Sequence, residues 1–263
     1  MKERRTVDIL GVAVDRTTLE EAAATVADFV ERARRAGVAE PRLVVTPNAE
    51  MIYRASHDPQ VKAILNGADL AVPDGAGVVL ASRILGRGLL ERVTGIDLME
   101  RILATAAERG YRVYLLGSRP EVIRAAAENI VARHRGLTLA GFHHGYFADG
   151  TAAEEEIVAA IAASRAEILF AGMGSPKQEI WLAHRLAATG AAVGVGVGGS
   201  LDVYAGTARR APAWMRQAGL EWLYRLVREP RRAGRMLALP LFLGSAVLSA
   251  VARGGTKRKG GVD

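Results

Sequence analysis

The chain has 263 residues, half of them apolar, which is enough for a large α/β core without disulfides or structural metals. It contains no cysteine, so thiol nucleophiles and thiolate metal sites are excluded. The net charge of +7 is confined to the end of the chain: residues 1–224 carry 26 basic and 26 acidic side chains, whereas residues 225–263 carry nine basic and two acidic ones.

Short β-rich segments alternate with helical patterns along most of the chain. In chain order, strands are predicted at 7–14, 43–46, 70–72, 113–116, 137–140, 168–171 and 192–197. Helices are predicted at 18–36, 49–65, 76–85, 97–109, 121–133, 152–164 and 177–188. This rhythm predicts an α/β fold with a mostly parallel, Rossmann-like sheet flanked by helices. We expect one α/β core over residues 1–206, followed over residues 207–263 by a helical appendage with a basic, apolar membrane-binding tail.

Small or polar residues follow five of the predicted strands. In open parallel sheets, ligands bind where these strand ends meet, so the residues there are candidate site residues. They are Thr46 and Asn48, Asp74, Gly117 and Ser118, Gly174, Ser175 and Gln178, and Gly199 and Asp202. Glycine and serine at such junctions expose backbone N–H groups that can hold a phosphate, although the same residues are ordinary loop formers.

The segment 194–199 contains a formal G-x-G-x-x-G pattern, which would suggest a dinucleotide site. Val193, Val195 and Val197 alternate with the glycines, so we predict instead that Gly194 and Gly196 lie within a strand. Glycines in a strand allow a neighbouring backbone or a ligand to approach closely. A dinucleotide-binding loop is therefore not the favoured interpretation.

Four acidic or histidine residues need interpretation. Asp74 is either a turn aspartate or a general base for a substrate hydroxyl. Asp97 is interpreted as a first-turn acid of its helix. His143 and His144 are expected to point to opposite faces of an extended segment, and no Asp-x-Asp motif occurs. We therefore predict no metal and no cofactor, so that arginines and helix termini would neutralise a leaving diphosphate.

Six motifs together resemble those of the WecG/TagA/CpsF glycosyltransferases, in the order found in that family. They are Thr46-Pro-Asn-Ala-Glu-Met, Pro73-Asp-Gly-Ala-Gly-Val-Val, Arg92-Val-Thr-Gly-Ile-Asp-Leu, Gly172-Met-Gly-Ser-Pro-Lys-Gln-Glu, Val197-Gly-Gly-Ser-Leu-Asp and Arg209-Arg-Ala-Pro. The resemblance covers roughly residues 6–235. It implies inverting transfer from a UDP-sugar, often N-acetylmannosamine or its uronic acid, to a polyprenyl-diphosphate-linked sugar. The implied products are cell-surface polysaccharides or teichoic-acid linkage units of the cell wall.

The resemblance also implies roles for individual residues. Asp74 would be the general base, and Thr46 and Asn48 would orient the sugar and the acceptor. Arg92 and Gln178 would lie near the donor diphosphate or sugar, while the segments 172–175 and 199–202 would shape the nucleotide pocket. Three arginines of the appendage would close over the site: Arg225, Arg232 and Arg235. For each of these arginines, lipid contact or a solvated helix face is an equal alternative.

The tail contains 17 uncharged residues, 236–252, interrupted by Pro240 and Gly244 and flanked by basic residues on both sides. This is the short limit for spanning a bilayer, so we favour a segment lying in the cytoplasmic leaflet and attracted to anionic lipid. Because the first residues lack the apolar stretch of a secretory signal, we expect a cytoplasmic protein, peripheral on the inner face of the cell membrane. A neutral body with 5% aromatic residues argues against nucleic-acid binding, and the sequence is compatible with a homo-oligomer.

Two other functions are compatible with the sequence. A nucleotide-dependent oxidoreductase would bind a nicotinamide cofactor. A non-catalytic membrane scaffold would bind UDP but release none from a UDP-sugar. Cofactor titration tests the first alternative, and turnover tests the second.

Overall fold

A computed structural model describes residues 4–37, 40–228 and 238–259 of the chain. Its first two strands, β1 (Thr6–Ile9) and β2 (Val12–Asp15), form an antiparallel hairpin, so the prediction of one strand over 7–14 was wrong. Leu10 and Gly11 connect the strands with φ angles of 54° and 84°. A two-residue turn with positive φ at both positions matches the twist of a hairpin. Leucine rarely adopts this conformation, and the apolar pattern continues through the turn.

The other strands form a single parallel sheet. They are β3 (Arg42–Val45), β4 (Leu70–Ala71), β5 (Arg112–Gly117), β6 (Thr138–His143), β7 (Ile168–Gly172) and β8 (Val193–Gly196). Their order in the sheet is β4-β3-β8-β7-β5-β6. The central strands β7 and β8 are buried along their whole length, as expected for a parallel sheet with helices on both faces. The predicted α/β fold with a parallel sheet is confirmed.

Helices connect the strands and continue beyond them. Those of the first half are α1 (Leu19–Ala36), α2 (Ala49–Ala55), α3 (Pro59–Gly67), α4 (Ala76–Ile84) and α5 (Gly95–Arg109). Those that follow are α6 (Pro120–Arg133), α7 (Ala152–Ser164), α8 (Lys177–Thr189), α9 (Ser200–Tyr204), α10 (Ala213–Gln217), α11 (Glu221–Arg228) and α12 (Ala238–Lys259). Helices α1, α5, α6 and α9 cover one face of the sheet. The hairpin and helices α2, α3, α4, α7, α8 and α12 cover the other face.

The predicted helix over 49–65 is two helices, because Asp58 and Pro59 start a new one. The Asp58 carboxylate accepts the backbone N–H groups of Gln60 and Val61 at 3.0 and 3.2 Å. Proline at the first helical position has no N–H to leave unpaired. The chain therefore ends α2 at Ala55 and changes direction before α3.

Helix α12 packs against α2 and α4 through one of its faces. Phe242 and Ala246 on that face are fully buried in the core. Leu241, Leu248 and Val251 are 52%, 72% and 68% exposed on the opposite face. The helix runs through both Pro240 and Gly244. Pro240 is the third residue of α12 as described, and proline is tolerated in the first turn of a helix.

No helix among the residues described is long and apolar enough to cross a membrane. The membrane-binding role of the tail stays a prediction, as does the domain boundary at residue 206.

Candidate active site

A cavity of about 1040 Å³ opens at the carboxyl edge of the parallel sheet. Its walls come from the segments that follow all six strands of the sheet, and from helices α11 and α12. Its volume is at the upper end of the range for small-molecule sites. Ten of the predicted site residues line it: Thr46, Asn48, Asp74, Arg92, Ser118, Gly174, Ser175, Gln178, Gly199 and Asp202.

One wall is formed by three segments that are joined by backbone hydrogen bonds. The N–H of Asp74 donates to the carbonyl oxygen of Pro47 at 3.1 Å, and the N–H of Val93 donates to that of Pro73 at 3.0 Å. Gly75, after Asp74, has a φ of 96°, which favours glycine and lets α4 begin directly behind the carboxylate. These bonds bring Asp74 together with the segments 46–48 and 92–94.

Thr46 and Asn48 each make a hydrogen bond within the protein. The Thr46 hydroxyl donates to the carbonyl oxygen of Gly196 at 3.2 Å, which ties the end of β3 to the end of β8. The Asn48 side chain accepts the N–H of Met51 at 3.0 Å and caps α2. Asn48 therefore has a structural role as a helix cap, in addition to the role in orienting the substrates that the resemblance implies.

Arg92 lies beside Glu221, the first residue of α11. Their side chains approach to 3.8 Å, and Glu221 is 9% exposed. Both residues line the cavity. The guanidinium group that the resemblance assigns to the donor therefore has a carboxylate of the appendage beside it.

Asp97 lies in the first turn of α5, where the sequence predicted a helix-stabilising acid. Its N–H donates to the Thr94 hydroxyl at 3.2 Å, and its carboxylate accepts two bonds from Arg210 at 2.7 and 3.1 Å. Burial raises the pKa of Asp97, but hydrogen bonds from Arg210 and Thr94 outweigh burial and hold that pKa below its ordinary value. The first-turn prediction is confirmed, and Arg210 fastens the segment after α9 to the start of α5.

The loops after β5 and β7 pack backbone against backbone. A Cβ atom on Gly117 would lie 2.4 Å from the carbonyl oxygen of Gly172, so a side chain cannot be placed there. The N–H of Ser118 donates to that same oxygen at 3.0 Å, and the Ser118 hydroxyl donates to Asp202 at 3.3 Å. Gly117 thus supports the cavity from behind, while Ser118 and Asp202 reach it.

The glycines of β8 lie within the strand, as predicted. A Cβ on Gly194 would lie 2.8 Å from Leu186, and a Cβ on Gly196 would lie 2.8 Å from the Gln178 amide nitrogen. The side-chain oxygen of Gln178 accepts the N–H of Gly198 at 3.0 Å. The close approach needed at these glycines is therefore to the side chains of α8, and the interpretation against a dinucleotide loop holds.

The loop after β6 adds residues that the sequence did not indicate. Tyr146 lines the cavity and is 66% exposed. Lys177 donates to the carbonyl oxygens of Gly145 and Phe147 at 3.4 and 3.3 Å, which holds this loop against the start of α8. His143 and His144 have ring centroids 4.2 Å apart, so the expectation that they point to opposite faces was wrong. His144 lies beyond the end of β6, where strand alternation no longer applies.

Comparison with known proteins identifies the family of this chain. The sequence profile of the "Glycosyl transferase WecG/TagA/CpsF family" matches residues 7–256. The chain belongs to this family. A protein of Bacillus spizizenii (strain W23) is 37% identical over 205 residues, 78% of each chain. Proteins of Staphylococcus aureus strains MW2 and NCTC 8325 are 35% identical over 237 residues, 90% of each chain. Each is named N-acetylglucosaminyldiphosphoundecaprenol N-acetyl-beta-D-mannosaminyltransferase.

The resemblance inferred from the six motifs is thereby confirmed, and the protein is a glycosyltransferase. Its cavity also contains residues that no motif indicated. Glu221, Trp222 and Leu239 come from α11 and α12. They belong to the appendage, from which the resemblance implied only arginines at the site, so the position of these three residues follows from the fold.

The three predicted arginines of the appendage lie at the edge of what the structure describes. Arg225 belongs to α11, and its side chain is outside the described part. Arg232 and Arg235 lie outside the described residues. Within the described ranges, no group of three or more histidine, aspartate or glutamate side chains is placed to hold a metal ion.

Proposed function

We propose that the enzyme transfers an N-acetylmannosamine-type sugar from a UDP-sugar to a polyprenyl-diphosphate-linked sugar, with inversion at the anomeric carbon. The names of the relatives support this choice of sugar and acceptor. The observation that carries the proposal is the wall in which Asp74 lies beside Thr46, Asn48 and Arg92. The product would be a lipid-linked precursor of a cell-surface polysaccharide or teichoic-acid linkage unit.

Asp74 would act as the general base. The acceptor hydroxyl would attack the anomeric carbon from the face opposite the diphosphate, and the Asp74 carboxylate would take the hydroxyl proton as the new bond forms. The bond between the anomeric carbon and the diphosphate oxygen would break at the same step, releasing UDP. A single displacement of this kind needs one base and no nucleophile of the enzyme.

The leaving diphosphate would be stabilised without a metal ion. Arg92 lies on the same wall as Asp74, and the N-terminal end of α8, the positive end of its dipole, follows the loop 172–175 at the cavity. The carboxylate of Glu221 lies 3.8 Å from the Arg92 guanidinium, so an incoming diphosphate would have to displace it from Arg92. Binding of the donor would therefore be coupled to the position of α11.

The appendage would hold the enzyme on the anionic inner surface of the membrane. Leu241, Leu248 and Val251 form an exposed apolar face on α12, and Val227 on α11 is 74% exposed. Apolar side chains on one face of a helix insert between lipid headgroups, and nearby basic residues add attraction to anionic lipid. This location would place the cavity beside a lipid-linked acceptor.

The test is a screen of UDP-sugars with polyprenyl-diphosphate-linked N-acetylglucosamine as the acceptor. UDP release and the mass of the lipid product would be measured with and without a chelator. We expect the largest release with UDP-N-acetylmannosamine, a lipid product heavier by one sugar, and no effect of the chelator.

Other results would contradict specific parts of the proposal. Binding of UDP without any release would indicate a scaffold, and binding of a nicotinamide cofactor would favour an oxidoreductase. Loss of transfer on chelation, restored by added magnesium, would contradict the metal-free step.

A further inference from the structure

A buried carboxyl group lies directly behind the glycine-rich wall of the cavity. Glu179, in the first turn of α8, is 1% exposed and lies behind its neighbour Gln178, which lines the cavity. Burial of a carboxyl group without a cation beside it is costly, so such a residue needs an explanation. None of the steps proposed for transfer uses it.

Glu179 and the backbone N–H of Gly198 together fix which way the Gln178 amide points. The Gln178 nitrogen donates to the Glu179 Oε1 at 2.7 Å, while the Gln178 oxygen accepts the N–H of Gly198 at 3.0 Å. A backbone N–H can only donate, so the amide oxygen must face Gly198. The amide nitrogen must then face an acceptor, and Glu179 supplies it.

The pair also lies against the end of β8. A Cβ on Gly196 would be 2.8 Å from the Gln178 nitrogen and 3.2 Å from the Glu179 Oε1. The carbonyl oxygen of Gly196 accepts the Thr46 hydroxyl at 3.2 Å. One buried network therefore connects the start of α8 with the ends of β8 and β3, and each of these carries residues of the cavity wall.

The environment of Glu179 favours its neutral form. Burial raises the pKa of its carboxyl group, and hydrogen bonds from Gln178 and Ser175 offset only part of that rise. A neutral acid still accepts the Gln178 N–H with its carbonyl oxygen. It would also not repel a diphosphate in the cavity, as an ionised carboxylate would.

We propose that Glu179 is a positioning residue for the donor nucleotide: it orients the Gln178 amide, which holds the turn at Gly198 and Gly199 in the shape that receives the donor. This inference rests on the proposed function, because it takes the donor to be a UDP-sugar. Gly198 has a φ of 52°, so the hydrogen bond from its N–H stabilises a conformation that the turn must keep. Glu179 itself touches neither substrate.

The test is UDP binding measured by calorimetry on the full chain, with the melting temperature measured alongside. Glu179→Leu removes the acceptor and leaves the Gln178 N–H unpaired, and we expect UDP affinity to fall about tenfold. Glu179→Gln keeps a neutral acceptor, so affinity and its pH dependence should stay within about threefold of the wild type. The double variant Gln178→Leu, Glu179→Leu should be no weaker than Gln178→Leu alone, because both changes break one network.

A purely structural role would lower the melting temperature and leave the UDP affinity of the folded protein unchanged. If Glu179→Leu does not fold, Glu179→Asp decides the question, because it keeps the carboxyl group but withdraws the acceptor by one methylene. Wild-type affinity in Glu179→Asp, or a loss in Glu179→Gln as large as that in Glu179→Leu, would overturn the proposal. A wild-type protein that binds no UDP would overturn the proposed donor, and this role with it.

Discussion

The two sides of the cavity are held together in different ways. On the side of the sheet, the loops after β5, β7 and β8 are locked by backbone contacts, such as the 3.0 Å bond from Ser118 to Gly172. On the side of the appendage, α11 and α12 reach the cavity through side chains. Leu239 packs against Gly77, where a Cβ would lie 2.6 Å from it, and Glu221 faces Arg92 at 3.8 Å.

Because of this difference, the sheet side of the cavity is preformed, whereas side chains on the appendage side can be displaced. Backbone contacts at the sheet edge leave no room for a side chain, so this side, to which the proposed function assigns the nucleotide, can change only if the sheet changes. The appendage packs on the body through side chains, with Phe242 and Ala246 in the core, and it has close approaches such as that of Gly219 to Ala76, where a Cβ would lie 2.9 Å away. A single substitution where α12 meets Gly77 should therefore alter placement of the acceptor more than binding of the nucleotide, whereas the approach of Glu221 to Arg92 involves the donor as well.

The largest effect is expected at Asp74. Asp74→Asn should lower transfer by about a thousandfold, because the amide cannot take the acceptor proton. UDP affinity and the melting temperature should stay near wild-type values, since asparagine has the size of aspartate and the nucleotide is assigned to the segments 172–175 and 199–202. Transfer is measured as UDP release with the lipid acceptor. Asp28→Asn on α1 is the matched control and should keep full activity, whereas a fully active Asp74→Asn would remove the base assignment.

A smaller loss of transfer activity is expected when a substitution displaces α12 from α4. Gly77→Leu should displace Leu239 and lower transfer about ten- to hundredfold through misplacement of the acceptor, with UDP affinity retained. Calorimetry with UDP and the transfer assay separate the two sides. Gly67→Leu, in open space at the end of α3, is the control. If Gly77→Leu weakened UDP binding as much as transfer, the two sides would not be independent.

Substitutions on the exposed face of α12 should weaken membrane binding more than they lower the rate of sugar transfer. Leu248→Glu with Val251→Glu should weaken binding to anionic vesicles by about tenfold or more, because two apolar side chains no longer enter the lipid. Flotation with vesicles measures this, and activity toward a short-chain, soluble acceptor should be unchanged. Val131→Glu on α6, an exposed apolar residue on the opposite face of the sheet, should bind vesicles like the wild type. Equal binding by both variants would contradict an anchoring role for α12.

The smallest effect concerns Asp97 and Arg210. Asp97→Asn should lower the free energy of unfolding by about 1 kcal/mol at neutral pH, as expected for a partly exposed pair. Because the pKa of Asp97 is lowered by folding, this contribution is present above the pKa of an unfolded aspartate and disappears as pH falls through the lower folded value. Urea unfolding at neutral and acidic pH should show the difference shrinking. A difference that stays constant with pH would mean that the charge is not involved.

Much of the sheet side could be predicted from the sequence. The alternation of β-rich and helical segments predicts the parallel sheet, and polar residues after five strands predict where ligands bind. The glycines of β8 were correctly placed within the strand, because the valines alternate with them. The hairpin turn at Leu10 was missed, since the apolar pattern continues through it. The helix over 49–65 was predicted as one run, although Asp58-Pro59 within it is typical of a helix start, and α3 begins there.

By itself the sequence determined the fold class, the family and the strand ends that carry Thr46, Asp74 and Gln178, because these depend on local periodicity and on motifs contiguous in the chain. Only the tertiary structure decided that Glu221 lies beside Arg92, that Leu239 reaches the cavity and that the Gln178 amide lies between Glu179 and Gly198. The first two are contacts between segments more than a hundred residues apart. The third depends on burial beneath a strand, and no local pattern encodes burial of a single carboxyl group.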